Sequence, residues 1–216
     1  MGFADAFVTP QIEDLRARIL NHPLWQGIAT GAVGRRTLQI FALQDYWLVR
    51  EAYRLDALAI AAAPDMVLQE HLLAKLQPKV GGHRLLVRFG EALGLDQAAF
   101  DEVEPLAGCM ALTNFFYWML AYGTPGEKLA AVGASEAIFV ELCRRVGPDL
   151  IRNYGLNAPE VEFFTAHDVL GDKIAPIEDD LLDRYATTEQ QTRLIGRAIR
   201  LSHQFELMFY DTILQA

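Results

Sequence analysis

The sequence predicts an all-α protein, a single-domain helical bundle over residues 1–216, and three observations carry that expectation. Apolar residues recur at spacings of three and four nearly everywhere, with almost no alternating runs bounded by turns. Threonines with proline or glutamate behind them mark helix starts, and glycines mark the stops. The 216 residues are 52% apolar and 22% charged, and no Pro/Gly/Ser-rich linker divides them, so one large core can be buried.

Taken in order, Thr9-Pro10 reads as an N-cap with proline at the first helical position, where the missing N–H is no loss, and opens a helix over 9–21. His22 follows in Asn21-His22-Pro23-Leu24-Trp25, at a helix junction where a histidine bonds backbone. A long helix over 35–62 comes next, then helices over 65–76, 81–94 and 97–103, with Gly94 as one of the stops. The helix over 106–122 ends at Gly123. Thr124-Pro125-Gly126-Glu127 has the glutamate of a capping box three residues after the cap and opens 125–146, closed by Gly147. Helices over 148–154, ended by Gly155, and over 158–171 and 172–185 precede the last, 188–214, opened by Thr187-Thr188-Glu189-Gln190. The second and last helices, at about 27 residues, reach roughly 40 Å at 1.5 Å per residue, a length suited to bundle pillars.

Nineteen Lys and Arg against 28 Asp and Glu give a net charge of −9, with no basic stripe to displace phosphate counterions, so nucleic acid is not an expected partner. The opening Met1-Gly-Phe-Ala-Asp-Ala-Phe lacks a basic and then apolar leader. The most apolar windows, Ala57 to Ala63 and Leu106 to Tyr122, are short or interrupted by Thr113 and Asn114. No membrane association and a cytoplasmic location are the expectation, consistent with a mean hydropathy of only +0.13. Cys109 and Cys143 form neither a disulfide framework nor a CxxC pair and read as small core residues.

Candidate functional residues are polar side chains that interrupt core-facing stripes, since burying one is unfavourable unless something compensates. Asp45 is the one polar member of Leu38, Phe41, Asp45, Leu48, Ala52, Leu55, Ala59. His83 heads Leu86, Val87, Gly90, Leu93; Glu136 follows Leu129 and Val132 and precedes Phe139 and Cys143. His167 interrupts Phe163, Phe164, Leu170, Ile174, and Ser202 and Glu206 interrupt Ile195, Ile199, Phe209, Ile213. Three carboxylates and two imidazoles on five inward-facing helices predict a polar pocket for a small molecule, with these groups as acids, bases or metal ligands. Gln44, Arg50, Glu51 and Arg54 read as the polar side of the second helix, and His71 and His203 as solvated or boundary positions. The run Phe115-Phe116-Tyr117-Trp118 reads as core plus a homodimer contact.

Several segments resemble one family. His22-Pro-Leu-Trp, a glycine-containing turn and Phe41-Ala-Leu-Gln-Asp-Tyr46 are similar to the opening of the thiaminase II (TenA) and pyrroloquinoline-quinone synthase (PqqC) superfamily, which has a haem-oxygenase-like helical fold. Val87-Arg-Phe-Gly-Glu-Ala-Leu-Gly-Leu95 resembles the PqqC side, and Thr187-Thr-Glu-Gln-Gln191 and Phe205-Glu-Leu-Met-Phe-Tyr-Asp211 resemble the closing helix. The resemblance to thiaminase II, which hydrolyses an aminopyrimidine with a cysteine nucleophile, puts that family's aspartate on Asp45 and its glutamate on Glu206. It puts the cysteine on Ser135 and a tyrosine near His167. The resemblance to haem-oxygenase-like iron oxidases, around Ala134-Ser-Glu-Ala137 and Phe163-Phe-Thr-Ala-His167, leaves His83, Glu136 and His167 as ligands for one iron. Positions Leu76, Gly171 and Ile174 lack the remaining ligands, and Asp172 is one residue out of register. The resemblance to PqqC implies metal-free oxidation by molecular oxygen, here of a neutral or cationic molecule rather than a polyacid, because the pocket is acidic.

The resulting expectation is a dimeric PqqC-like enzyme oxidising a small organic substrate, metal-free or with one iron. His83, Glu136, His167 and Glu206 are its catalytic groups, and Asp45, Ser135 and Tyr46 bind the substrate. The alternatives are aminopyrimidine hydrolysis with Ser135 as nucleophile, and a small-molecule-binding protein without turnover. Filling of the pocket by Phe139, Phe163, Phe164 and Phe209 would exclude any ligand.

Overall fold

The computed structural model describes residues 4–216, with the side chains of 168–177 outside the described set. Ten α-helices occur among the described residues, with no strand: α1 (Pro10–Leu20), α2 (Pro23–Thr30), α3 (Arg35–Ala61), α4 (Met66–Leu76), α5 (Gly82–Ala92), α6 (Gln97–Asp101), α7 (Ala107–Tyr122), α8 (Pro125–Tyr154), α9 (Glu162–Tyr185) and α10 (Glu189–Gln215). The caps read from sequence are in place. Thr9 Oγ1 accepts from the Ile12 N–H, Thr124 and Glu127 form the reciprocal capping box, and Thr188 accepts from the Gln191 N–H.

The pillars α8 and α10 pack on each other, α9 lies on α8, and α7 and α1 lie on α10. Helix α3 packs on α4, α5 and α7, and α2 on α8. The core between them is aromatic: Phe41, Phe89, Phe100, Phe163, Phe164, Phe209 and Tyr210 are fully buried. Edge-to-face contacts tie Trp25 to Phe41 and Tyr210 at ring distances of 5.5 and 4.8 Å. Helices α7 and α10 cross closely at Gly108, where an added Cβ would sit 1.9 Å from Thr212 Oγ1. No helix among the described residues is long and apolar enough to cross a membrane.

Three parts of the helix reading are corrected. Residues 23–30, left as a junction, form α2, which His22 caps by accepting the Leu24 N–H on Nδ1 while Nε2 pairs with Asp211 at 3.0 Å. The expected stop at Gly147-Pro148 is continuous helix. Gly147 is there because α9 comes close, an added Cβ falling 3.3 Å from Thr165 Cγ2, and burial of Val146 and Leu150 on either side holds the helix through the proline. Residues 162–185 likewise form one helix rather than two, after a 3-10 turn over Ala158–Val161.

Side chains also depart from expectation. Gln44 is buried, accepting from the Leu106 N–H and donating to the Glu104 carbonyl, so it anchors the loop before α7. His71 and His203 are buried rather than solvated. Burial and the Arg16 charge push the His203 imidazole down to about 4. Cys109 and Cys143 are free and buried.

Candidate functional site

Helix α3 presents small and aliphatic residues along one stripe, Leu48, Ala52, Leu55 and Ala59, continued by Ala62 just past its end, and α8 opposes it with Leu129, Val132, Ser135 and Phe139. The space that these side chains leave is a cavity of about 260 Å³, completed by residues of α4, α7, α9 and α10. Phe139, Phe163 and Phe209 line it without filling it, so the interior has room for a ligand. Asp45 and Glu206 are 5% and 4% exposed and mark the inner end; Ala62 and Pro64 are exposed and mark the outer end.

At the inner end three helices converge. Glu206 of α10 accepts two hydrogen bonds, from Ser135 Oγ of α8 at 2.5 Å on Oε2 and from the Tyr210 hydroxyl, one turn along α10, on Oε1. Burial pushes the Glu206 carboxyl up to about 7, against the lowering effect of those two donors. Asp45 of α3 is pushed up to about 8, first by burial and then by the Glu206 charge. Its Oδ2 is fully buried with no hydrogen-bond partner among the described residues. A buried carboxyl oxygen facing no protein donor, beside a second carboxyl titrating near neutrality, is an arrangement in which a ligand supplies the missing partner. Ser202, on the same helix as Glu206, serves structure instead, donating to the Ala131 carbonyl at 2.8 Å.

Farther out, one wall is ionic. Lys75 Nζ lies 2.5 Å from Glu136 Oε2 and also bonds Glu178, which faces His71 at 3.5 Å. Lys79 Nζ lies 2.6 Å from Glu136 Oε1 and 3.1 Å from Asp56 Oδ2. Burial alone would raise the Glu136 carboxyl, but the two ammonium groups outweigh it and hold it down at about 2. His167 completes this wall, its Nδ1 2.7 Å from the Phe163 carbonyl and its ring against Phe163 and Phe139 at 4.6 and 5.1 Å. Donation from Nδ1 leaves Nε2 as the acceptor of the neutral ring. Burial lowers the His167 imidazole below its ordinary value, and the Glu136 charge opposes that.

The residues expected from sequence separate into two groups. Asp45, Ser135, Glu136, His167 and Glu206 all line the cavity, and Asp45, Ser135 and Glu206 meet at its inner end. Tyr46 and His83 are not among the lining residues. Tyr46 packs edge-on to Phe100 at 5.0 Å, and His83 shares a 3.3 Å hydrogen bond with Tyr53, burial and the Arg84 charge lowering its imidazole. The expected iron set of His83, Glu136 and His167 is therefore not assembled. Both Glu136 oxygens are taken by lysines, His83 lies off the cavity, and no group of three His, Cys, Asp or Glu side chains among the described residues is placed to hold a metal. The side chains of Gly171, Asp172 and Ile174 lie outside the described residues.

Sequence reasoning passed over Tyr210, Lys75, Lys79, Asp56 and Glu178. Tyr210 follows Glu206 by one turn, which was a readable signal. The lysines and their partners carry none, because a charge on a helix reads as solvated unless another element is known to cover it.

Comparison with known proteins bears on the same segments. The profile of the TENA/THI-4/PQQC family matches residues 9–161. No curated protein matches the chain. Among solved structures, a TenA homolog from Pseudomonas syringae pv. tomato str. DC3000 is similar at a TM-score of 0.84 and 12% identity, over 95% of this chain and 90% of that one. A domain of unknown function with a heme oxygenase-like fold from Shewanella denitrificans OS217 gives 0.83 at 16% identity, over 94% and 89%. A putative TenA-like thiaminase from Sulfolobus solfataricus P2 gives 0.76 at 14% identity, over 100% and 97%.

Proposed function

Because the chain belongs to the TENA/THI-4/PQQC family, we propose that it is a hydrolase of the thiaminase type acting on an amino-substituted nitrogen heterocycle, the aminopyrimidine class. The observation that carries this reading is the Ser135 to Glu206 hydrogen bond of 2.5 Å at the buried end of the cavity, beside the unpartnered Asp45 oxygen. Two adjacent carboxyl groups titrating near neutrality suit a ring edge with one nitrogen and one amino group, since protonated Asp45 donates to the first and accepts from the second. Serine is a weaker nucleophile than a thiolate and needs a base, and Glu206 is in position to be one.

In the first step Ser135 Oγ bonds to the electrophilic carbon while its proton passes to Glu206 Oε2. The leaving group departs with the bonding electron pair and takes that proton. Water then replaces Oγ at the carbon, Glu206 again carrying the proton, and the sum is hydrolysis. Tyr210, bonded to the other Glu206 oxygen, orients the carboxyl. Oxidation by molecular oxygen is the less supported reading, because a polar end built from carboxyl groups suits a basic ring and two of the similar structures are TenA proteins. His167, whose neutral ring lines the outer wall, is assigned a proton-carrying or binding role there rather than the attack itself. We also propose that the exposed α7 face of Met110, Trp118 and Tyr122 is a homodimer contact.

The test is turnover of 4-aminopyrimidines carrying an exocyclic leaving group, followed by chromatography. Ser135→Ala and Glu206→Gln should each lower kcat by about 100-fold or more. Full activity in Ser135→Ala removes the serine nucleophile, and tight binding without turnover by the native protein makes it a binding protein instead.

A further inference from the structure

Resting on that reading of the inner end, we propose that the cavity holds a second subsite, and that the substrate is an amphiphile: a compact amino-heterocyclic head with an apolar tail lying along α3 toward the outer end.

The lining residues of α3 run from Asp45 to Ala59, 14 positions and about 21 Å at 1.5 Å per residue, and the lining continues to Ala62 just past the helix end. A compact chamber of about 260 Å³ would be only about 8 Å across, so this space is a channel, several times longer than a single heterocycle. Its composition then says what fills it. Beyond Asp45, the α3 stripe is Leu48, Ala52, Leu55 and Ala59, and Phe116, Leu120, Leu129 and Val132 oppose it from α7 and α8. None of these side chains offers a hydrogen bond. The polar lining is Tyr53 and Asp56 on the neighbouring stripe of α3, Lys75, Lys79, Glu136 and Glu178, whose charges with that of Asp56 are paired among themselves, His167 of α9, and the Lys128 ammonium of α8 beside Leu129. At the outer end Met66 and Val67 are 63% and 53% exposed beside Leu68, which continues the apolar wall to the surface. A channel with carboxyl groups at its buried end and an apolar stripe along α3 from there to its mouth fits a molecule with a polar head and an apolar tail.

The probes are 4-aminopyrimidines bearing a methyl, butyl or octyl group on a ring carbon, where no leaving group exists, together with butylamine and octylamine. Affinity for each is measured by calorimetry on the full chain. Each methylene fully buried in the channel should tighten binding about fourfold, so the octyl probe should exceed the methyl probe by about 1,000-fold or more. Ala52→Phe and Ala59→Phe, which place a ring in the channel two and four turns from Asp45, should collapse the octyl-to-methyl ratio to below about tenfold, thermal unfolding being followed to show that both variants are folded. Equal affinity for the methyl and octyl aminopyrimidines overturns the tail subsite while leaving the head assignment standing. Failure of every aminopyrimidine, with octylamine bound more tightly than butylamine and the difference lost in both variants, overturns the head assignment and upholds the subsite. Binding of no probe overturns both.

Discussion

Glu206 accepts hydrogen bonds from two hydroxyls, which favour its ionised form, yet burial still holds it near 7, and Asp45 beside it near 8. A base at Glu206 requires pH above about 7, and a donor at Asp45 requires pH below about 8. The expected kcat/KM profile is a narrow bell with its maximum between those values, the two limbs belonging to the coupled pair. Asp45→Asn, which cannot ionise, should remove the alkaline limb and leave the acid one; a profile unchanged in shape would remove Asp45 from the titration. The same groups set a stability trend. Both pKa values are raised on folding, so folding favours the protonated forms, and their contribution is complete below about 4 and lost as pH rises through 7 to 8. Asp45→Asn should therefore raise the unfolding midpoint by about 5 °C at pH 9 and by far less at pH 5, as differential scanning calorimetry would show. Both carboxyl groups were legible in the sequence as polar breaks in apolar stripes. Their proximity was not, since Asp45 and Glu206 stand on helices at opposite ends of the chain.

At the scale of the element, α4 carries a buried charge as well as the buried Leu68. Its Lys75, 3% exposed, reaches Glu136 on α8 and Glu178 on α9. Removing one member of a buried ion pair costs about 3–5 kcal/mol, because the partner is left desolvated. Lys75→Met should lower the unfolding midpoint by roughly 10 °C, and adding Glu178→Gln should recover part of it. Additive losses in the double variant would show that the pair is not coupled. Helix α8 supplies the opposite case. Pro148 is exposed, lacks an N–H and sits inside a helix that continues through it, so Pro148→Ala should stabilise by about 1–3 kcal/mol. Periodicity and caps gave the long helices their ends, because those signals are local. The continuity of α8 was hidden, because Gly147 and Pro148 carry a local stop signal that contact with α9 overrides.

At the scale of the whole molecule, helices α3 and α8 stand apart across the channel while α7 and α10 close one side of it, and the outer face of α7 remains apolar. Met110, Trp118 and Tyr122 are 43%, 45% and 78% exposed and share that face by helical spacing. If they join two copies, sedimentation should give a dimer in the native protein and a monomer in Trp118→Glu. A monomeric native protein would end that assignment.

By itself the sequence determined the helical class, most of the helix ends and the side chains Asp45, Glu136, His167 and Glu206 that reach the interior, because periodicity, capping and stripe interruptions are written within one helix at a time; Ser135 came only from the resemblance to thiaminase II. Only the tertiary structure decided which of them meet. It brought Ser135 to Glu206, took Glu136 into the Lys75 and Lys79 network, and set His83 and Tyr46 off the cavity. Distances between helices depend on how the faces of several elements pack at once, and no spacing within a single helix records that.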